Sequence, residues 1–222
     1  MEVKKLIGCL MVLCLITLNT IVLANATVTT NEQNLAIESY KKVLQNQAVF
    51  FSGLAGCSEK KKKYLHEFLA DEAGPRYTFK ITQFTVLDMD EDKIPEVVLN
   101  LKIGNDDADY REVLHYYNGQ VYGYLFGIRS LNTLKMDGTF LGSDGAASTY
   151  YSKLQFLEDS CEFETLGYSQ AGAHFINNEL VTDESFDAFI TEQHGKKDAI
   201  WYDFSQKNIE TVLGCCTFVN RP

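Results

Sequence analysis

Apolar residues recur with two different periods along this chain, and the change of period divides it into three parts. Over residues 31–51, Ile37, Tyr40, Val43, Leu44 and the run to Phe51 keep the spacing of one helical face, with polar residues between them. Gly53 and Gly56 break that pattern. Ser58 then stands where a helix cap belongs, ahead of a second helix from Glu59 to Ala70. Its apolar stripe is Tyr64, Leu65, Phe68 and Leu69. From Tyr77 the period drops to two. Tyr77, Phe79, Ile81 and then Phe84 and Val86 predict a strand, followed by Glu96 to Ile103, Tyr110 to Tyr117 and Gln120 to Ile128. Asn118-Gly119 and Asp137-Gly138 are two-residue hairpin signals. The second joins 131–135 to 139–141. Further strand pairs are 148–157 with 162–168, and 173–180 turning at Asn177-Asn178. Thr182 caps a helix from Asp183 to His194, Gly195 stops it, and a short helix follows near Asn208 to Leu213. This order predicts a single α+β domain over residues 27–222. N-terminal helices occupy 27–72, an antiparallel β-meander sheet 77–181, and C-terminal helices 182–222.

The first residues carry an export pattern. Lys4 and Lys5 precede an apolar run from Leu6 to Leu23, and Ala24-Asn25-Ala26 matches a small-x-small cleavage site, so residues 1–26 read as a signal peptide. The run is long enough to span a bilayer, but Thr17, Asn19 and Thr20 interrupt it. The expectation is cleavage after Ala26, no stable membrane insertion, and a secreted or cell-surface location. Leu6-Ile7-Gly8-Cys9 has the form of a bacterial lipidation site but stands too early to serve as one. After the cut, Cys57, Cys161, Cys215 and Cys216 remain. Oxidising surroundings permit two disulfides, and four cysteines allow three pairings. Closing Cys215 on its neighbour Cys216 would strain the chain, which favours each of them reaching to Cys57 or Cys161. Free thiols are the alternative, and zinc-ligand spacing is lacking.

Charge narrows the partners. The net charge is −10, which repels nucleic acid and anionic membrane surfaces. Lys60 to Lys63 stand out against it and read as a solvated face at the start of the second helix. The remaining partners are an unknown protein or a cell-wall glycan.

The stretch Asp88-Met89-Asp90-Glu91-Asp92-Lys93-Ile94-Pro95-Glu96 is the strongest chemical signal. Asp88, Asp90 and Asp92 alternate so that a tight turn aims all three inward. Ile94 would offer its backbone carbonyl and Glu96 a fourth carboxylate, an oxygen set suited to calcium. It is not an EF-hand, because the twelfth position is Leu99. The spacing resembles the strand-loop-strand calcium loops of FG-GAP and VCBS repeats. That resemblance implies ligands at Asp88, Asp90, Asp92, Ile94 and Glu96 and covers this loop alone. The departure is Lys93, where that family carries Gly, which demands a strained backbone or a different turn. More widely, the chain resembles a family of exported Gram-positive bacterial proteins of unassigned function. The likeness lies in Phe84 to Asp88, Glu96 to Leu99, Val113 to Tyr117, Val121 to Tyr124, Leu134 to Phe140 and Trp201-Tyr202. It implies export and the loop, not an activity.

Other clusters carry less. Asp106, Asp107 and Asp109 fall at the far end of a strand, roughly 23 Å from the acidic loop by strand rise, and should not share its ion. Gly167-Tyr168-Ser169-Gln170-Ala171 resembles the nucleophile elbow of serine esterases, with Asp187 and His194 following in that fold's order. The elbow needs a parallel α/β sheet, whereas this chain predicts hairpins. His66, His115, His174 and His194 lack metal spacing, and His115 alternates with Val113 and Tyr117 on one strand face. The sequence therefore reads as an exported, non-enzymatic binding or interaction module with a structural calcium loop. A hydrolase using Ser169 is the alternative.

Overall fold

The period-two segments do become strands, but they build two sheets, and two strands arise where helices are expected. The computed structural model describes residues 30–74, 77–104, 108–145 and 148–214. The expected signal peptide over residues 1–26, Asp106, Asp107, Cys215 and Cys216 fall outside them. The elements run α1 (30–44), β1 (Phe50–Leu54), β2 (Lys61–Lys63), α2 (Leu65–Asp71), β3 (Phe79–Leu87), β4 (Glu96–Ile103), β5 (Tyr110–Tyr117), β6 (Gln120–Phe126), β7 (Thr133–Leu134), β8 (Phe140–Gly145), β9 (Ser148–Leu157), β10 (Ser160–Gln170), β11 (Ala173–Ile176), β12 (Glu179–Val181), α3 (Asp183–Gly195), β13 (Tyr202–Asp203) and α4 (Gln206–Gly214). The protein is mixed α+β.

The first sheet has the order β13-β3-β4-β5-β6-β1-β2, and the second β12-β11-β10-β9-β8-β7. This corrects the single antiparallel meander. Alternation says which face of a strand is apolar and not which sheet it joins, and the chain changes sheets between β6 and β7. The helix expected over 31–51 ends at 44, where Asn46 takes a left-handed φ of 61°. Phe50 and Phe51 then begin β1, which pairs parallel with β6, Phe51 opposite Tyr122 and Leu54 opposite Leu125. The helix expected from Glu59 is half strand. Lys61–Lys63 pair antiparallel with β1, and only Leu65–Asp71 coil, with Glu67 reaching back to accept the Tyr64 amide at 2.8 Å. As a strand the lysine run splits between two faces. Lys63 meets Asp71 and Glu72 at 3.3 and 2.6 Å, while Lys60 and Lys62 lie over the rings of Tyr124 and Phe51.

The first sheet is the middle layer. Along β4, Val97, Leu99 and Leu101 face a core completed by Tyr40 and Val43 of α1, Phe68 of α2, and Ile209 and Leu213 of α4. Val98 faces the other way, into a core shared with Phe140, Leu154 and Cys161 of the second sheet. The outer face of the second sheet carries α3. Phe189 of α3 stands edge-on to Tyr151 at 5.4 Å and lies where a side chain on Gly167 would have to be. Lys135 ties the end of this helix down by donating to the carbonyls of His194 and Lys196 and to Asp198. Among the described residues no helix is long and apolar enough to cross a membrane.

Candidate metal centre

Strands β3 and β4 pair up to Leu87 and Glu96, so the acidic stretch is the loop that closes this hairpin. Met89 anchors it. Its side chain is fully buried between the sheets, and its amide donates to Glu96 Oε2 at 2.8 Å. Gly138 of the β7–β8 turn, at φ 79°, lies so close to the Met89 backbone that a Cβ there would overlap it. Three further loop amides turn inward. Lys93 N donates to Asp88 Oδ2 at 3.0 Å, Asp92 N to Asp90 Oδ1 at 3.3 Å, and Ile94 N to Asp92 Oδ1 at 2.6 Å. Lys93 takes φ 76° and Glu91 φ 66°, so the lysine adopts the left-handed backbone that glycine enters freely.

Carboxylate oxygens of Asp88, Asp90 and Glu96 lie within 4.8 Å of one another. Asp92 stands beside this trio with one oxygen engaged by the Ile94 amide. Asp88 Oδ1 is buried without a hydrogen-bond partner. Glu96 is fully buried, and its other oxygen meets His115 Nδ1 at 3.1 Å. The His115 ring stacks on Phe156 at 4.3 Å, and burial pushes its pKa down to about 4. The imidazole is therefore neutral at pH 7 and supplies a hydrogen bond without charge. Burial, with neighbouring carboxylates adding to it, raises Asp88, Asp90 and Glu96 and pushes Asp92 up to about 6. Among the described residues no cation is paired with Asp88, Asp90 or Glu96, and hard oxygens crowded in this way are the donor set that a divalent hard cation satisfies.

The loop is also held from outside. Gln33 of α1 donates to the Lys93 carbonyl, and Lys153 of β9 pairs with Glu91. Tyr40 of α1 is buried beneath it. Its hydroxyl pKa is raised by burial first and then by the charge of Glu96. Sequence reasoning missed these neighbours because nothing local marks them. His115 was legible in principle, since the register that sets Val97 against Leu114 brings Glu96 beside it.

The other candidates disperse. Asp109 sits between Lys102 at 3.8 Å and Arg111 at 3.7 Å. Ser169 lies inside β10, paired with Thr149 and His174, and not on a strand-to-helix elbow. His194 Nε2 meets Tyr151 Oη at 3.1 Å. Among the described residues Ser169, Asp187 and His194 share no hydrogen bond. Cys161 is buried and Cys57 exposed, and they are not joined to each other.

Comparison with protein-family models, with curated proteins and with solved structures gives no match to this chain.

Gly138→Ala tests the contact between turn and loop. The substitution meets a left-handed φ and fixed backbone atoms at once, and is expected to cost about 2–4 kcal/mol. Chemical denaturation of wild type and variant measures it.

Proposed function

We propose that this is an exported, non-enzymatic binding or interaction module, secreted or held at the cell surface, whose β3–β4 loop takes calcium as a structural staple. The observation that carries the calcium reading is the convergence of Asp88, Asp90 and fully buried Glu96, with their carboxylate oxygens within 4.8 Å of one another. Asp92 and the Ile94 carbonyl would complete the shell, which calcium accepts in irregular geometry. The staple would join α1, the first sheet and the second sheet, because Gln33 and Lys153 already grip the loop from both sides. Export rests on the pattern of residues 1–26. The binding role rests on the acidic, aromatic-rich character of the chain, with an unknown protein or a cell-wall glycan as partner.

Calorimetric titration of the chelator-treated protein with calcium tests the site. One ion per chain is expected, with the heat lost in Asp90→Ala. An affinity in the range of extracellular modules, 10⁻⁴–10⁻³ M, is expected. No heat in the wild type up to about ten millimolar calcium, well above that range, would remove the calcium reading.

A further inference from the structure

A second carboxyl is buried in the first sheet, on the opposite face from Glu96. Glu112 of β5 is fully buried. Its cross-strand neighbours are Leu99 of β4 and Leu125 of β6. From β1, Ser52 donates its hydroxyl to Glu112 Oε1 at 2.8 Å, and Oε2 has no hydrogen-bond partner. The carboxyl lies over Gly123 of β6, where a Cβ would collide both with it and with the Phe50 ring. Among the described residues no cation is paired with it. The charge that bears on it is Glu72, just past the end of α2, whose carboxylate Lys63 holds at 2.6 Å. A charged carboxylate in this position would have one hydrogen bond and an apolar wall, which burial strongly disfavours. Burial first, and the Glu72 charge in the same sense, hold Glu112 well above its ordinary 4.5 despite the Ser52 bond.

What covers Glu112 is one arm of the fold. Phe50 and Ser52 belong to β1, whose backbone pairs, among the described residues, with β6 on one side over four residue pairs and with β2 on the other. Beyond it lies β2 alone, at the sheet edge. Phe68 of α2 packs edge-on to Phe50 at 5.6 Å. The walls formed by β4 and β6 are fixed by longer pairings. Water therefore reaches Glu112 most readily when β1, β2 and α2 lift together.

We propose that Glu112 is a proton-dependent latch: in its neutral form it holds the β1–β2–α2 arm against β6, and its ionisation releases that arm while β3, β4 and β5 stay paired. The direction follows from linkage. The carboxyl is neutral when covered and ionises at an ordinary pKa when exposed. Its contribution is complete below about 4.5 and is lost as pH rises toward the raised value of the closed state. Within that window each pH unit favours the open arm about tenfold.

The test is amide hydrogen exchange of the intact protein from pH 5 to pH 8, corrected for the intrinsic pH dependence of exchange. In the wild type the opening constant of β1 and β2 amides is expected to rise by up to about tenfold per pH unit, levelling off where pH passes the raised value of the closed state, with β4 and β5 amides unchanged. Glu112→Gln keeps the shape and an acceptor for Ser52, and is expected to flatten that slope. A flat wild-type profile, the same slope in Glu112→Gln, or parallel loss of protection in β1 and β4 would each overturn the latch. If the variant does not fold, the wild-type contrast between β1 and β4 still decides. Chelator is present throughout, so the outcome is independent of the calcium reading.

Discussion

Excess calcium is expected to raise the unfolding midpoint of this protein by roughly 5–10 °C over the chelated form. A ligand at a hundred times its dissociation constant adds about 2.7 kcal/mol to the folded state. A chain of this length gains roughly 2–4 °C per kcal/mol. The expected shift is large because the loop meets both cores, through buried Met89 between the sheets and through Ile94 against the core that holds Tyr40. Asp90→Ala removes one of the three converging carboxylates and abolishes the shift. Sodium chloride at matched ionic strength separates a site from general screening, which would relieve any crowded acidic turn. Magnesium gives a smaller effect than calcium, since it demands near-octahedral geometry and sheds water reluctantly. A midpoint indifferent to calcium makes residues 88–96 an ordinary acidic turn.

Phe140→Ala costs about 3–5 kcal/mol, the usual range for deleting a buried aromatic ring. That is equivalent to roughly 6–20 °C in the midpoint. Phe140 is fully buried in the core that the two sheets share, edge-on to Phe163 at 5.8 Å and to Tyr150 at 6.4 Å. Its neighbours Val98, Val113 and Tyr124 belong to the first sheet, so the loss is felt on both sides of the interface. Trp201 packs against the same core and reports it by fluorescence. Coincidence of the Trp201 transition with the backbone transition by circular dichroism is the expected outcome. Separation of the two would mean that the sheets unfold independently and that Phe140 stabilises one of them alone.

Strands bounded by strong local signals were legible. Glu96–Ile103 and Tyr110–Tyr117 fall where alternation and the Asn118-Gly119 turn place them, and Thr182 accepts the Ser185 amide as a helix cap should. Even the slip of phase between Ile81 and Phe84 has a physical counterpart, a bulge between Ile81 and Gln83. What failed depended on distant partners. Phe50-Phe51 fits a helical stripe as well as a strand, and only the open edge of β6 decides between them. The loop was legible as a turn that gathers Asp88, Asp90 and Glu96. Composition alone could not reveal that one oxygen of Asp92 is engaged by the Ile94 amide, or that Glu96 is sealed beneath a neutral histidine.

The parallel seam between β1 and β6 has a consequence for the order in which this chain assembles. A hairpin such as β5–β6 closes in about 1–10 μs because its partners are adjacent. β1 is made earlier but has no edge to join until β6 exists, and docking it requires closing the long intervening segment. The first sheet therefore grows outward from β4 and β5, and its N-terminal strand is among the last to arrive. Until then β6 presents unpaired amides and carbonyls, the template on which a second nascent chain adds. The aggregation-sensitive stage of folding is this interval, and substitutions that slow the docking of β1 lengthen it.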